Sequence, residues 1–138
     1  MIGSSDNGRQ AFACPAAMPV VFVYGTLKRG DCRHRYMAGS RFLGLATTER
    51  GYRLFDMGEY PAMVEDLSGG AIEGELFEVS DATLEVLDEV EGVADVLYSR
   101  RAVRLEGDPS SLGAEAYLYL GSVAGKRELM HRWVVRRS

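Results

Sequence analysis

Residues 20–30 read Val-Val-Phe-Val-Tyr-Gly-Thr-Leu-Lys-Arg-Gly, and no other stretch of the chain is as informative. Val20 to Tyr24 has the length and β-branched content of a buried strand, and Gly25 ends it. We expect Gly25 to supply a positive φ at this turn, because glycine lacks a Cβ. Such a turn leaves successive backbone N–H groups available to an anion or a carboxylate. By itself, the stretch fits an ordinary strand-to-loop junction better than a binding turn.

Further strands are predicted from short stretches of strand-forming residues separated by turns rich in Gly, Pro and Ser. They are Arg41–Thr47, Tyr52–Asp56, Pro61–Glu65, Ile72–Val79, Arg100–Leu105 and Ala114–Leu120. Short strands with close turns indicate an α+β domain. Its sheet is expected to be small, mixed or antiparallel and barrel-like, with one or two covering helices.

The clearest helix is predicted to begin after Ser80, a favourable N-cap residue, and to end at Gly92, which suits a C-terminal cap. Asp81 lies in its first turn, where an acidic side chain is stabilised by the helix dipole. Weaker patterns predict short helices at Arg33–Ala38 and Lys126–Trp133.

Length and composition indicate one soluble globular domain over residues 20–138, preceded by a flexible tail over residues 1–19 that is rich in Gly, Ser, Ala and Pro. A net charge of −4 argues against a nucleic-acid-binding surface. The basic cluster over residues 132–137 is expected to be a solvated end. No apolar run approaches the roughly 20 residues that span a membrane, and the first residues lack a signal-peptide pattern.

The two cysteines and two histidines suggest neither a disulfide framework nor a metal site. Cys14 falls in the predicted tail, so a bridge to Cys32 would restrain little, and reduced thiols in the cytoplasm are expected. Cys32 and His34 form a conceivable metal or Cys/His catalytic pair, but zinc sites usually need four ligands. We therefore expect no metal, with His34 settling its loop or beginning a short helix.

Among the acids of the predicted helix, Glu91 is placed on the apolar side. A wheel advancing about 100° per residue puts it between Leu87 and Leu84, whereas Glu85 and Glu89 fall on the opposite, solvated side. A charge on the apolar side is costly unless it is paired, hydrated in a cleft, or used in catalysis. From periodicity alone, a frayed helix end explains Glu91 better than catalysis does.

Tyr24-Gly25-Thr26-Leu27, after an apolar strand and before Lys28-Arg29-Gly30, resembles the opening motif of the γ-glutamylcyclotransferase (AIG2-like) family, especially its γ-glutamylamine branch. Residues 72–101 are similar to the family in the same order. They contain Gly-Glu-Leu-Phe at 74–77, Leu-Asp-x-x-Glu at 87–91 and Tyr-x-Arg at 98–100. Together with Tyr-Pro-Ala-Met-Val at 60–64, the resemblance covers roughly residues 20–120. It implies the fold of that family.

The resemblance also implies a cofactor-independent reaction on a small γ-glutamyl substrate. The glutamyl α-amine attacks its own γ-amide carbonyl and releases 5-oxoproline together with a free amine or amino acid. Glu91 stands where the family keeps its essential acid, which implies that it is the catalytic general acid and base. The implied substrate-binding residues are Tyr24, Gly25, Thr26, Leu27, Tyr98 and Tyr119. A cross-strand aromatic contact explains Tyr98 equally well.

The matched motifs leave one binding residue open and give structural roles to two others. Tyr117 shares a strand face with Tyr119 and is the alternative to it, because branches of the family differ by two residues here. Asp88 is expected to bond backbone near the helix, and Arg100 to pair with a helix acid. Arg33 departs from the γ-glutamylamine branch, which has Asn before His34, and this leaves the substrate open.

Two other functions fit the same residues. The chain could be a non-catalytic module that binds a glutamyl-like ligand, or a regulatory or scaffold domain without a ligand. Glu91 separates these from an enzyme, because a module that only binds has no need of an acid on an apolar face. The oligomeric state is not indicated by the sequence.

Overall fold

A computed structural model describes residues 18–134 of the chain. Most of the predicted tail, residues 1–17, and Cys14 within it therefore lie outside the described residues. In chain order the strands are β1 (Val20–Val23), β2 (Arg41–Thr47), β3 (Tyr52–Asp56), β4 (Pro61–Glu65), β5 (Glu73–Glu78), β6 (Tyr98–Ala102), β7 (Glu115–Tyr119) and β8 (Arg127–Leu129). The α-helix α1 (Asp81–Val90) lies between β5 and β6, and 3₁₀ turns span His34–Met37 and Asp108–Leu112.

The strands form two sheets, and β1 lies at the centre of the larger one. That sheet has the order β2-β5-β1-β7-β6, and the smaller has the order β4-β3-β8. β1 pairs antiparallel with β5 and parallel with β7, where Val21 lies opposite Glu115. The predicted α+β class with a mixed sheet is confirmed.

β1 reads as an unbroken apolar run because both of its faces are buried. Val20 and Phe22 belong to one hydrophobic cluster, shared with Leu54 and Met63 of the smaller sheet. Val21 and Val23 point the other way and belong to a second cluster, which includes buried residues of α1. The central sheet is therefore covered by the smaller sheet on one face and by α1 on the other.

The capping predictions for α1 are confirmed. The Ser80 side chain accepts a hydrogen bond from the Thr83 N–H at 3.0 Å. At the other end Gly92 has a φ of 68°, which favours glycine, and the Val93 N–H reaches the Asp88 carbonyl at 3.0 Å. This Schellman arrangement ends the helix abruptly and fixes where Glu91 lies.

One prediction for the C-terminal part was wrong. Lys126–Trp133 is not a helix, because β8 pairs with β3. Within the predicted basic cluster, residues 135–137 lie outside the described residues and Arg132 is exposed as expected, but Trp133 is 1% exposed. Its Nε1 donates a hydrogen bond to Asp31 at 2.9 Å, and its carbonyl accepts one from Lys28 at 2.5 Å. The segment therefore packs against the loop that follows β1.

Candidate active site

A cavity opens where β1 ends, between the larger sheet, α1 and the start of β4. Its lining combines apolar side chains, several tyrosines and two charged groups. The lining residues are Phe22, Val23, Tyr24, Gly25, Thr26, Leu27, Arg33, Tyr60, Pro61, Glu91, Tyr98 and Tyr117. The predicted residues Tyr24, Gly25, Thr26, Leu27, Glu91 and Tyr98 are thus brought together around one cavity.

The turn after β1 requires glycine for a reason other than the predicted one. Gly25 does not have a positive φ, so that expectation was wrong. A Cβ at this position would lie 2.6 Å from the Pro61 Cγ, closer than side chains ever approach. Glycine is needed because the start of β4 packs directly against the turn.

The same turn lines the cavity and leaves backbone donors available. Its carbonyls are used within the fold, since Gly25 accepts from the Lys28 N–H at 3.0 Å and Thr26 from the Arg33 N–H at 2.9 Å. Over residues 18–134, no backbone hydrogen bond of the turns and loops uses the N–H of Gly25, Thr26 or Leu27 as its donor. Successive N–H groups of this kind bind carboxylates and stabilise developing oxyanions.

Glu91 is the acidic group of the cavity and is almost enclosed by it. The residue follows the last turn of α1, and its N–H still donates to the Leu87 carbonyl at 2.9 Å. Only 12% of its side chain is exposed. Burial disfavours the charged carboxylate and raises the pKa of Glu91 from 4.5 to about 7, and the positive charge of Arg33 moderates this increase.

The phenols around Glu91 stay neutral and are held by backbone carbonyls. The Tyr24 hydroxyl donates to the Tyr117 carbonyl at 2.5 Å, and the Tyr98 hydroxyl to the Pro61 carbonyl at 2.9 Å. Burial is the main cause that raises the pKa of Tyr24 and of Tyr98 well above ordinary values, and the nearby negative charge of Glu91 raises both further. Within this wall Glu91 is the group whose pKa lies near neutrality.

A polar network on α1 fixes the orientation of the helix. Asp88 accepts two hydrogen bonds from Arg100, at 2.8 and 3.1 Å, and one from the Tyr117 hydroxyl at 2.6 Å. Burial would raise the pKa of Asp88, but these hydrogen bonds outweigh it and lower the pKa. The prediction that Arg100 pairs with a helix acid is confirmed. Asp88 bonds side chains of β6 and β7 rather than the predicted backbone.

Of the two tyrosines on β7, it is Tyr117 that lines the cavity. Tyr119 lies outside that lining and packs edge-on against Tyr98, with ring centroids 5.3 Å apart. The substrate contact assigned to Tyr119 stays a prediction. Tyr60 and Arg33 also line the cavity, although sequence reasoning gave neither a site role. The signals available were the family-like Tyr-Pro dipeptide at 60–61 and the departure from the family at Arg33.

Cys32 and His34 form no joint site. Cys32 is a free, exposed thiol. His34 begins the first 3₁₀ turn, and its Nδ1 lies 2.9 Å from the Leu27 carbonyl. The prediction that His34 settles this loop is confirmed. Over residues 18–134, no group of three or more His, Cys, Asp or Glu side chains is arranged to hold a metal ion.

Comparison with known proteins identifies the family. The family model described as "Gamma-glutamyl cyclotransferase, AIG2-like" matches residues 21–135. The chain belongs to this family. The human protein named gamma-glutamylaminecyclotransferase is 36% identical over 97 residues, covering 64% of this chain and 63% of that protein. A Niallia circulans protein, "Gamma-L-glutamyl-butirosin B gamma-glutamyl cyclotransferase", is 40% identical over 75 residues.

The match to the Niallia protein covers 54% of this chain and 46% of that protein. The chain therefore spans about half to two thirds of the length of the Niallia and human relatives. Among solved structures, a mouse AIG2-like protein superimposes with a TM-score of 0.63 at 27% identity. That superposition covers 79% of this chain and 80% of the mouse chain, which confirms the predicted family fold. Within the described residues, no helix has the length and apolarity needed to cross a membrane.

Proposed function

We propose that this chain is a γ-glutamyl cyclotransferase that releases 5-oxoproline from a small γ-glutamyl compound, with Glu91 as general acid and base. One observation carries the proposal. Glu91 is 12% exposed, has a pKa of about 7, and lines the same cavity as the backbone donors of Gly25, Thr26 and Leu27. A carboxyl group titrating near neutrality is suited to taking and returning a proton.

The first chemical step is proton transfer followed by ring closure. The α-ammonium of the glutamyl group gives a proton to the Glu91 carboxylate, and the free amine attacks the γ-carbonyl carbon of the same molecule. The new C–N bond closes a five-membered ring, and the carbonyl oxygen becomes an oxyanion. Well-oriented intramolecular attack reaches effective molarities of order 10⁵–10⁸ M, so holding the glutamyl chain folded supplies much of the rate.

The second step expels the amine. The protonated Glu91 returns its proton to the leaving nitrogen, and the original C–N bond breaks as the carbonyl re-forms. The ring nitrogen then gives its second proton to the Glu91 carboxylate, which passes it to the released amine, and 5-oxoproline results. Acid–base help of this kind contributes about 10²–10⁴ in rate. Nucleophile, electrophile and leaving group are all supplied by one substrate, so the reaction as written needs no cofactor.

We assign the glutamyl end of the substrate to the turn after β1. The N–H groups of Gly25, Thr26 and Leu27 would hold its α-carboxylate or polarise the γ-carbonyl as negative charge develops there. Tyr24 and Tyr98 would form the neutral wall behind it. The substrate class we propose is a γ-glutamyl amine, amide or peptide, and the name of the human relative supports a γ-glutamylamine among these.

The test is 5-oxoproline release from a panel of γ-glutamyl compounds by the wild-type chain, by Glu91→Gln and by Glu89→Gln. Glu89 lies on the same helix but is exposed, so its variant controls for charge removal alone. We expect turnover by the wild type and Glu89→Gln, and a loss of about 10²–10⁴ in kcat for Glu91→Gln with binding retained. Equal turnover by Glu91→Gln would exclude the mechanism. Binding without turnover by every variant would identify a non-catalytic binding module.

A further inference from the structure

Arg33 is the cationic side chain of the cavity, and its guanidinium is not committed to a hydrogen bond there. Its Nη1 lies 3.7 Å from the Glu91 Oε2, near enough for charge attraction but too far for a hydrogen bond. About 40% of its side chain is exposed, against 12% for Glu91. Arg33 therefore lies toward the open side of the cavity, beside the proposed acid–base group.

Two other arginines of the fold are used differently. Arg100 donates to Asp88 at 2.8 and 3.1 Å, and Arg53 donates to Asp66 at 2.8 Å. Among the described residues, by contrast, the guanidinium of Arg33 makes no hydrogen bond, and its contact with Glu91 is an ion pair at 3.7 Å. Its backbone N–H is bonded to the Thr26 carbonyl at 2.9 Å, which ties the residue to the turn after β1. A planar set of five donors is thus positioned at the cavity without an internal acceptor.

We infer that Arg33 binds a carboxylate on the leaving amine, so that the chain prefers γ-glutamyl amino acids to γ-glutamyl compounds of neutral amines. This inference rests on the proposed function, and it adds a specificity-determining residue to that function. A guanidinium matches a carboxylate with two parallel hydrogen bonds, which gives both affinity and direction.

The position of Arg33 fits the leaving group better than the glutamyl end. The backbone donors of Gly25, Thr26 and Leu27 already suit the glutamyl carboxylate, and Thr26 and Leu27 are only 6% and 4% exposed. The leaving amine must extend toward the opening, where Arg33 lies.

The distances agree with this arrangement. In an amino-acid leaving group the carboxylate carbon is about 2.5 Å from the reacting nitrogen, as two bonds require. Glu91 must reach that nitrogen to protonate it, and the Arg33 guanidinium is 3.7 Å from Glu91. A carboxylate two bonds from the nitrogen therefore falls within reach of Arg33.

The experiment compares γ-glutamyl-alanine with γ-glutamyl-alaninamide, which differ in one charge and hardly in size. The variants are Arg33→Gln and, as a control, Arg35→Gln. Arg35 lies two residues away, is exposed, and bonds the Cys32 carbonyl and the Tyr36 hydroxyl. Ratios of kcat/KM between the two compounds are measured at pH 8.5, so that any effect common to both substrates cancels.

We expect the wild type and Arg35→Gln to prefer the acid by about tenfold to a hundredfold, as charge-assisted hydrogen bonds do. In Arg33→Gln the ratio should fall to about one. An unchanged ratio in Arg33→Gln would overturn the inference, because Arg33 would then serve Glu91 or the glutamyl carboxylate. An equal loss for both substrates would overturn it for the same reason.

A binding arm keeps this result separate from that of the proposed function. Dissociation constants for both compounds are measured calorimetrically on Glu91→Gln and on Glu91→Gln combined with Arg33→Gln. We expect the single variant to bind the acid more tightly than the amide, and the double variant to bind them alike. A preference for binding the acid, without any 5-oxoproline release by the wild type, would support the role of Arg33 and refute catalysis. Release of 5-oxoproline, with a substrate preference that does not depend on Arg33, would support catalysis and refute the role of Arg33.

Discussion

Replacing Glu91 with Gln is expected to stabilise the folded chain at alkaline pH while removing its activity. The buried carboxyl has a pKa of about 7 in the fold, against 4.5 when it is solvated. Between these values the folded chain binds a proton that the unfolded chain has lost. The free energy of unfolding therefore falls as the pH rises from about 4.5 to about 7 and then stays low.

The size of the effect follows from the two pKa values. The difference between about 7 and 4.5, at 1.36 kcal/mol per pKa unit, is worth roughly 3 kcal/mol. Gln has the shape of the protonated acid and carries no charge, so it avoids this cost at every pH. The variant should be more stable than the wild type by roughly 3 kcal/mol at pH 8, and by less than about 0.5 kcal/mol at pH 4.5.

Urea denaturation at pH 4.5 and pH 8 measures both differences, with the slope m compared between variants to check that the transition is equivalent. Glu89→Gln is again the control, and we expect it to change stability little at either pH because Glu89 is exposed. The reasoning is refuted if Glu91→Gln is no more stable than the wild type at pH 8. Such a result would mean that the ionised carboxylate is well hydrated or paired in the cavity.

Three further predictions concern the titration of Glu91, the turn after β1 and the hydrogen bond of Trp133. Wild-type kcat/KM should rise about tenfold per pH unit below pH 7 and level off above it. In Arg33→Gln the midpoint of this rise should move to higher pH, because the positive charge of Arg33 lowers the pKa of Glu91. A pH-rate profile of each protein tests both expectations. Gly25→Ala should cost about 1–3 kcal/mol and reduce kcat/KM, because its Cβ would strike a proline ring at 2.6 Å. Gly70→Ala, which has open space around it, should be close to neutral in both measurements. Trp133→Phe should lose about 1.5–3 kcal/mol in urea denaturation, because it removes a 2.9 Å hydrogen bond to a buried carboxylate.

Local sequence signals were enough to predict much of the fold. The bounds of β2, β3 and β4 agree with the predicted ranges, because short runs of strand-forming residues between turn residues have few alternatives. The same holds for α1, where an N-cap serine and a C-terminal glycine mark both ends. Helical periodicity also placed Glu91 on the buried side, although it gave no reason to prefer catalysis over a frayed end.

What the sequence left open depended on partners distant in the chain. The segment predicted as a helix at Lys126–Trp133 forms a strand instead, since β3 offers it an edge and Trp133 is buried. Gly25 was expected for its backbone freedom, but Pro61, which lies 36 residues later, is what excludes a side chain there. Arg33 escaped assignment because its proximity to Glu91 exists only once two separate loops are brought together.

The hydrogen bonds that Asp88 accepts also explain why Glu91, at the end of α1, is buried. Asp88 is held by Arg100 and the Tyr117 hydroxyl, so the helix cannot rotate without breaking three hydrogen bonds. Glu91 follows three residues later, one turn along the same side, and Gly92 then ends the helix. The network that fixes the helix thus also fixes the proposed acid–base group, at the point where β1 presents its backbone donors. Substituting Asp88 should consequently impair turnover through the position of Glu91, even though Asp88 does not line the cavity.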